Sequence, residues 1–199
     1  MKPLVIQLLG QARSGKDWTA SQLKAYFESQ GKSVEIYSYA APMKQITATL
    51  FDISLEQLDN YKNHPLEYVI DITQLSDFKV PVDIHNTNFR RFLQLLGNEA
   101  IKPIFGDNVW AKLAKENIAK STADIVIIPD CRFAVELNEV GGTTVRIVND
   151  SLTPPMNHSS ELELKDYETD YVLNNTDYKL TDEQIRDLAK RIVHDRINS

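Results

Sequence analysis

The sequence predicts an α/β fold in which helices flank a mostly parallel sheet, because short apolar segments alternate along it with amphipathic ones. The first apolar segment, residues 4–9, ends in a glycine-containing turn, and a helical pattern over 17–30 follows that turn. The most apolar segment, residues 124–129, is typical of a central strand that is buried on both faces. Helices on both faces of such a sheet give a three-layer architecture.

The remaining elements continue this alternation. Further strands are predicted at 33–39, 143–148 and 171–173. Further helices are predicted at 43–51, 89–101, 109–120, 133–140 and 181–197, and Thr181 is the expected N-cap of the last one. Residues 52–88 are polar and interrupted by prolines, and apart from a β-prone stretch near 68–72 they predict no element. We therefore expect one domain over 1–199, with a mobile substrate-binding insertion over about 42–90.

Composition limits the classes of protein to which the chain can belong. Its 22 basic and 28 acidic residues give a net charge of −6, which argues against binding nucleic acid through a basic surface but not against a local phosphate site. The single cysteine, Cys131, excludes an internal disulfide and a multi-cysteine zinc site. Because no segment has the pattern of a membrane span or a signal peptide, we expect a cytoplasmic protein without a membrane partner. A homodimer is left open.

The turn after the first strand carries the clearest chemical signal. Residues 10–16 read Gly-Gln-Ala-Arg-Ser-Gly-Lys, which are the first seven positions of the phosphate-binding P-loop pattern in its required strand–turn–helix context. Glycines let successive backbone N–H groups point at an anion, the following helix adds its positive end, and Lys16 adds a point charge. The candidate nucleotide-binding residues are Gly10, Ala12, Arg13, Ser14, Gly15, Lys16 and Asp17.

The eighth position of the pattern is Asp17 instead of the usual Ser or Thr. A hydroxyl at this position ordinarily binds Mg²⁺, and a carboxylate is also a hard oxygen ligand that suits this ion, directly or through water. The alternative is an ordinary glycine-rich turn in which Asp17 only begins the helix.

The end of the strand over 124–129 carries a second group of candidates. Asp130 follows this strand, and ligands of open α/β sheets bind at the carboxyl ends of the strands. Asp130 can hold Mg²⁺ or its waters beside the P-loop, or it can be an ordinary strand-end acid. Arg132 can meet phosphate oxygens with its planar guanidinium or pair with a nearby acid. Cys131 is interpreted as a small buried side chain and not as a nucleophile.

The helix predicted over 89–101 places Arg90 and Gln94 on one face, with Arg91 beside it. Two arginines at a helix start oppose the helix dipole, which is mild support for an anionic ligand. A solvated basic face is the alternative. Trp110, at the start of the next helix, is more typical of a core residue than of a platform for a base.

Five blocks, in this order, resemble the bacteriophage deoxynucleoside monophosphate kinases. They are 13–17, where that family also has Asp after the lysine, 41–44, 90–97 running on to Phe105 and Trp110, 127–132 with Glu136 downstream, and 158–161 with Asn174 and Asn175 later. The chain departs from the family at Trp18, where a threonine is usual, so that Asp17 and Thr19 are the nearby oxygen ligands. Residues 52–88 do not match, and in this family that region helps to select the base.

This resemblance implies a P-loop NTPase fold and transfer of the γ-phosphoryl group of ATP, with Mg²⁺, to a deoxynucleoside monophosphate. The implied catalytic residues are Lys16, Arg13, Arg132 and Asp130, the metal ligands are Asp17 and Asp130, and the acceptor-binding residues are Arg90, Arg91, Gln94 and Trp110. The accepted base and the roles of His158 and Glu161 stay open. Two other interpretations also stay open: another small-molecule P-loop kinase, similar to dephospho-coenzyme A kinase, and a nucleotide-binding switch without transferase activity.

Overall fold

The computed structural model describes residues 2–66, 87–152, 163–164 and 166–198 of the chain. Its strands are β1 (Leu4–Leu9), β2 (Val34–Ile36), β3 (Ile125–Ile128), β4 (Thr143–Val148) and β5 (Tyr171–Asn174). Its helices are α1 (Lys16–Ser29), α2 (Ala41–Leu50), α3 (Leu55–Asn60), α4 (Phe89–Gln94), α5 (Lys102–Phe105), α6 (Val109–Lys120), α7 (Ala134–Val140) and α8 (Asp182–Asn198). The chain divides into two compact units, residues 1–39 with 110–199 and residues 40–109, and each has a hydrophobic core.

The five strands of the first unit form one fully parallel sheet in the order β2-β3-β1-β4-β5. β1 lies at the centre, where Ile6 is opposite Ile127 of β3 on one side and Thr143 of β4 on the other. All four residues of β3 are buried, as its apolar sequence predicts. Parallel strands need crossover connections, and α1 and α7 provide them between β1 and β2 and between β3 and β4, two pairs that are each separated by one strand in the sheet.

Helices cover both faces of this sheet. Ile6 and Leu8 of β1 belong to a core that includes residues of α1 and α8, whereas Leu9 belongs to a core that includes residues of α6 and α7. Successive side chains of a strand point to opposite faces, so these two cores lie on opposite sides of the sheet. The predicted α/β class, with helices on both faces of a parallel sheet, is confirmed.

The second unit, residues 40–109, has a core of its own that joins α2, α3 and α4. Leu58 and Phe89 are fully buried in it, and the ring of Phe51 packs edge-on against Phe89 with their centroids 5.4 Å apart. The expected insertion over 42–90 falls inside this unit, and its binding role and mobility stay predictions. The β-prone stretch near 68–72 lies outside the described residues.

Two elements of this unit differ from the sequence-based expectation. Helix α3 was not predicted, although Ser54 and Gln57 form a complete capping box at its start. The single helix predicted over 89–101 ends as a regular α-helix at Gln94, and residues 95–101 form a π-helix that leads into α5. Pro103 lies at the start of α5, where its missing N–H is tolerated.

The other predicted boundaries agree with the structure to within a few residues. Thr181 caps α8, since its hydroxyl accepts a hydrogen bond from the N–H of Gln184 at 3.3 Å. Within the described ranges, every helix is too short or too polar to cross a bilayer.

Replacement of Ile127 tests the importance of the central strands for stability. Ile127 is fully buried and packs in the core between the sheet, α1 and α8. We expect Ile127→Ala to lower the free energy of unfolding, measured by urea denaturation, by about 2–5 kcal/mol, because it removes buried methyl groups and leaves a cavity. Ile197→Ala makes the same change at an exposed site and should cost less than about 0.5 kcal/mol. Equal losses for the two variants would contradict this description of the core.

Candidate active site

The turn between β1 and α1 has a backbone that only glycine permits at two positions. Gly10 has φ +146°, and a Cβ atom there would lie 2.3 Å from the carbonyl oxygen of Ile147. Gly15 has φ +102°, and a Cβ atom there would lie 2.3 Å from Nδ2 of Asn175. The two glycines of the P-loop pattern therefore allow both the left-handed backbone and its close approach to the neighbouring strand ends.

The turn also leaves the start of α1 open to an anion. Gly15 is the N-cap of this helix and has no side chain with which to accept hydrogen bonds from the first turn. The partial positive charge of the 14-residue helix is therefore not offset by a capping side chain. Arg13, in the middle of the turn, has φ +66° and an exposed side chain. This cradle, with its N–H groups at a helix start, fits the phosphates of a nucleotide.

The side chain of Lys16 folds back over the turn that precedes it. Its Nζ donates hydrogen bonds to the carbonyl oxygens of Gly10 at 2.7 Å and Gln11 at 2.8 Å. The ammonium group is thus held at the turn itself and not in bulk solvent. A lysine side chain is long and flexible, so it can exchange these carbonyl oxygens for phosphate oxygens without a change in the backbone.

Two buried hydroxyls of this region lack partners within the described part of the chain. They belong to Ser14 in the turn and Thr19 in α1, and both residues are fully buried. Buried hydroxyls are nearly always hydrogen-bonded in folded proteins, and those that are not occur often at functional sites. Thr19 is also the oxygen donor that the sequence places nearest to Asp17.

Asp130 joins the carboxyl end of β3 to the segment after β2. Its Oδ2 accepts a hydrogen bond from the hydroxyl of Ser38 at 2.6 Å, and its Oδ1 accepts one from the N–H of Tyr39 at 3.0 Å. A carboxylate is acceptor-only and has about four acceptor positions, and these two bonds orient the carboxylate of Asp130. Asp17, in the first turn of α1, is exposed. Within the described residues no group of three or more His, Cys, Asp or Glu side chains forms a metal site.

Glu136 organises the backbone that carries Arg132. Its Oε2 accepts hydrogen bonds from the N–H groups of Arg132 at 2.7 Å and Phe133 at 3.0 Å, and the residue is buried. The side chain of Arg132 is exposed. Sequence reasoning placed Glu136 only as a residue downstream of the fourth block, but its position three residues after Phe133 is the usual place for an acid that caps a helix start.

Cys131 is enclosed beneath this strand end. Its Sγ lies 3.5 Å from Oε1 of Gln7, and the residue is 3% exposed. Burial raises the pKa of the thiol well above its usual value, and the carboxylates of Asp130 and Glu136 raise it further. The structure therefore supports the interpretation of Cys131 as an inert core residue.

Asn175 is a contact of the P-loop that sequence reasoning did not assign. It follows β5, and its Nδ2 donates a hydrogen bond to the carbonyl oxygen of Ser14 at 2.8 Å. The only signal in the sequence is the Asn-Asn pair of the fifth block. His158 and Glu161 of that block lie outside the described residues.

The deoxynucleotide monophosphate kinase family model matches residues 49–192, most of the chain. The chain belongs to this family. The match begins after the P-loop and the block at 41–44, and it includes residues 52–88, where the sequence alone gave no match. It confirms the expected deoxynucleoside monophosphate kinase family, and a bacteriophage origin stays a prediction. The protein is accordingly a phosphotransferase.

Two other comparisons were made for this kinase. A comparison with the curated proteins found no match. Among solved structures, it is similar to shikimate kinase from Acinetobacter baumannii in complex with shikimate, at 12% identity and a TM-score of 0.42, over 98% of this chain and 94% of that one.

Three of the four acceptor candidates, Arg90, Arg91 and Gln94, lie in the second unit, where the two arginines have different partners. Arg90 is exposed and donates from Nε to Oδ1 of Asn63, a neutral amide, at 3.0 Å. Arg91 forms an exposed ion pair with Glu99, with Nη2 and Oε1 3.5 Å apart. The positive charge of Arg90 is therefore less compensated than that of Arg91.

The two other acceptor candidates are less exposed. Gln94, the last residue of α4, is half-buried. Trp110 belongs to the first unit and is 8% exposed, with an indole N–H that has no partner within the described residues. Its burial agrees with the interpretation of Trp110 as a core residue of the kinase.

Labelling of Cys131 tests its enclosure in the kinase. We expect a thiol reagent at pH 8 to modify the native protein at least about 100-fold more slowly than the unfolded chain, since the raised pKa keeps the thiol neutral and burial blocks access. Because the chain has a single cysteine, the reaction followed in urea gives the reference rate directly. Native labelling within about threefold of that rate would contradict the buried position.

Proposed function

We propose that the protein transfers the γ-phosphoryl group of ATP to a deoxynucleoside monophosphate, giving ADP and a deoxynucleoside diphosphate. The observation that carries the proposal is the glycine cradle at residues 10–16, which opens at an uncapped helix start in a chain of this family. In the reaction, an acceptor phosphate oxygen forms a bond to the γ-phosphorus. The bond from that phosphorus to the β–γ bridging oxygen breaks, and ADP leaves.

The donor phosphates would bind at the P-loop. Backbone N–H groups of residues 12–16 surround the phosphate oxygens, and the start of α1 adds its positive end. The ammonium of Lys16 leaves the carbonyl oxygens of Gly10 and Gln11 and binds the transferred group, where it offsets charge as the bond to ADP breaks.

Asp17 and Asp130 would hold Mg²⁺ or its waters. Both are hard oxygen donors, and the carboxylate of Asp130 is already oriented by Ser38 and Tyr39. The chemistry that Mg²⁺ would supply at these two carboxylates is neutralisation of part of the charge on the donor phosphates. Thr19 is the nearby hydroxyl that is buried without a partner in the described part of the chain.

The acceptor would be bound by Arg90, with Arg91 and Gln94 beside it. A guanidinium matches a phosphate in geometry, and the contact of Arg90 with Asn63 uses only its Nε. For Arg91 to bind the acceptor, it must break only its exposed ion pair with Glu99, which is worth about 0–1 kcal/mol. Trp110 is the weakest member of this set because it is buried.

Arg13 and Arg132 are candidates for neutralising charge in the transition state. Both side chains are exposed, and the backbone that carries each is constrained, at Arg13 by a left-handed conformation and at Arg132 by Glu136. Water must be kept from the γ-phosphate, otherwise ATP is hydrolysed, and we expect the insertion over about 42–90 to close when substrates bind.

The decisive experiment is a panel of acceptors in an ATP-consumption assay. dAMP, dGMP, dCMP, dTMP and their modified forms are compared with dephospho-coenzyme A. Consumption that depends on one or more deoxynucleotides supports the proposal and identifies the base. Consumption with dephospho-coenzyme A alone, or tight ADP binding without any acceptor-dependent turnover, would overturn it.

Loss of the Lys16 ammonium should nearly abolish transfer. We expect Lys16→Ala to lower kcat/KM for ATP by at least about 100-fold, because the charge that stabilises the transferred group is removed. The thermal unfolding midpoint should stay close to that of the wild type. Lys190→Ala removes an exposed lysine of α8 and should leave turnover unchanged. Retained activity in the Lys16 variant would exclude the P-loop from the reaction.

Loss of the Arg90 guanidinium should weaken acceptor binding selectively. We expect Arg90→Ala to raise the KM of the deoxynucleotide about tenfold and that of ATP less than about twofold, because a charge-assisted contact with one substrate is lost. Arg186→Ala, at an exposed arginine of the first unit, is the matched control and should change neither constant. Similar increases in both KM values would count against an acceptor role for Arg90.

A further inference from the structure

Asn175 is fixed on three sides at the carboxyl end of β5. Its N–H donates to the carbonyl oxygen of Val148 at 2.7 Å, and its Oδ1 accepts from the N–H of Leu180 at 3.2 Å. Its Nδ2 donates to the carbonyl oxygen of Ser14 at 2.8 Å, and the residue is 3% exposed. Because one amide atom accepts from a backbone N–H and the other donates to a carbonyl, the orientation of the amide is determined by its neighbours.

The contact with Ser14 determines the direction of a whole peptide unit of the P-loop. In a trans peptide the C=O of one residue and the N–H of the next point to opposite sides of the chain. An amide that holds the carbonyl oxygen of Ser14 on the Asn175 side therefore turns the N–H of Gly15 to the other side. That N–H is one of the donors that a P-loop offers to phosphate.

The glycine at position 15 is matched to this contact. A Cβ atom there would lie 2.3 Å from Nδ2 of Asn175, so any larger residue would displace the amide from the turn. The contact of Asn175 with the turn therefore requires glycine at position 15, although the two residues lie far apart in the sequence. The arrangement links the P-loop to β4 and β5, because Asn175 is itself bonded to Val148.

We propose that Asn175 is a positioning residue for the donor nucleotide, which it serves by holding the Ser14–Gly15 peptide in the orientation that binds polyphosphate. The proposal rests on the function proposed above. It predicts that loss of the amide weakens the binding of ATP and ADP and spares that of the acceptor, because the described hydrogen bonds of Asn175 reach the P-loop, the end of β4 and residues 178–180 after β5, and none of the acceptor candidates.

Two substitutions at position 175 and one at position 174 test the proposal. Asn175→Asp keeps the size of the side chain and the acceptor for Leu180, but it places a carboxylate oxygen against the carbonyl of Ser14. Asn175→Ala removes the donor without adding charge and carries the test if the aspartate variant does not fold. Asn174→Asp is the matched control, because Asn174 is exposed and its Oδ1 accepts only from the N–H of Thr176 among its described contacts.

The readouts are the dissociation constant of ADP by titration calorimetry and the KM values of ATP and of the accepted deoxynucleotide. We expect both Asn175 variants to raise the ADP dissociation constant and the KM of ATP about tenfold or more, with the acceptor KM changed less than about twofold. Asn174→Asp should match the wild type. A merely structural role would instead lower kcat through a smaller folded fraction and leave both KM values unchanged.

The outcomes separate this proposal from the function on which it rests. If the wild type binds ADP and consumes ATP, but the Asn175 variants bind ADP as the wild type does, the positioning role is overturned and the kinase function stands. The same holds if both KM values rise by equal factors. If the wild type neither binds ADP nor consumes ATP with any deoxynucleotide, both proposals are overturned.

Discussion

The close approach of the P-loop backbone to the strand ends beside it is the constraint on which the candidate site depends. A turn of seven residues with two glycines has little apolar surface to bury, so hydrophobic packing contributes little to its shape. Its shape depends instead on contacts that Gly10, Gln11 and Ser14 make with residues at the neighbouring strand ends. Gly10 lies against the carbonyl of Ile147, Gln11 donates to the carbonyl of Asn149 at 2.9 Å, and Ser14 accepts from Asn175. The central place of β1 next to β4 makes the first two of these contacts available.

The segment after β3 contains two acids with different roles: Glu136 supports the backbone, and Asp130 is a candidate for binding a ligand. Glu136 and Asp130 are both acids of this segment, but Glu136 is buried and bonded to two backbone N–H groups, whereas Asp130 is half-buried and bonded to one hydroxyl and one N–H. A buried carboxylate with these partners is committed to holding the backbone. The half-buried carboxylate of Asp130 is partly accessible from solvent. Loss of Glu136 would therefore disturb Arg132 without removing any group that touches a substrate.

The features that the sequence predicted well are those whose cause lies within a few residues. The strands β1 and β3, the P-loop and the N-cap at Thr181 each follow from neighbouring residues. Helix α3 also had a local signal in Ser54 and Gln57, but the polar, proline-containing surroundings concealed it. The π-helix over 95–101 was missed because apolar periodicity does not distinguish a π-helix from an α-helix.

The role of Asn175 was not predictable because its cause is not local. It meets Ser14 across 161 positions of the sequence, and only the order of the strands brings the two together. Asn63 likewise could not be assigned as the partner of Arg90, because the two are 27 positions apart and are brought together by the fold of the second unit. A sequence pattern identifies residue types suited to a chemistry, but which groups compensate a charge depends on tertiary contacts.

The net charge of −6 is compatible with the binding of two anionic substrates because the relevant charges are local. At physiological ionic strength the Debye length is about 8 Å, so acidic residues farther away on the surface have little effect at the P-loop. The positive potential there comes from Arg13 and Lys16 of the turn and from backbone N–H groups at the start of α1, and backbone dipoles do not enter a count of charged residues. Composition therefore argues against an extended basic surface and says nothing against a phosphate cradle. That distinction requires the geometry of Gly10, Gly15 and Lys16.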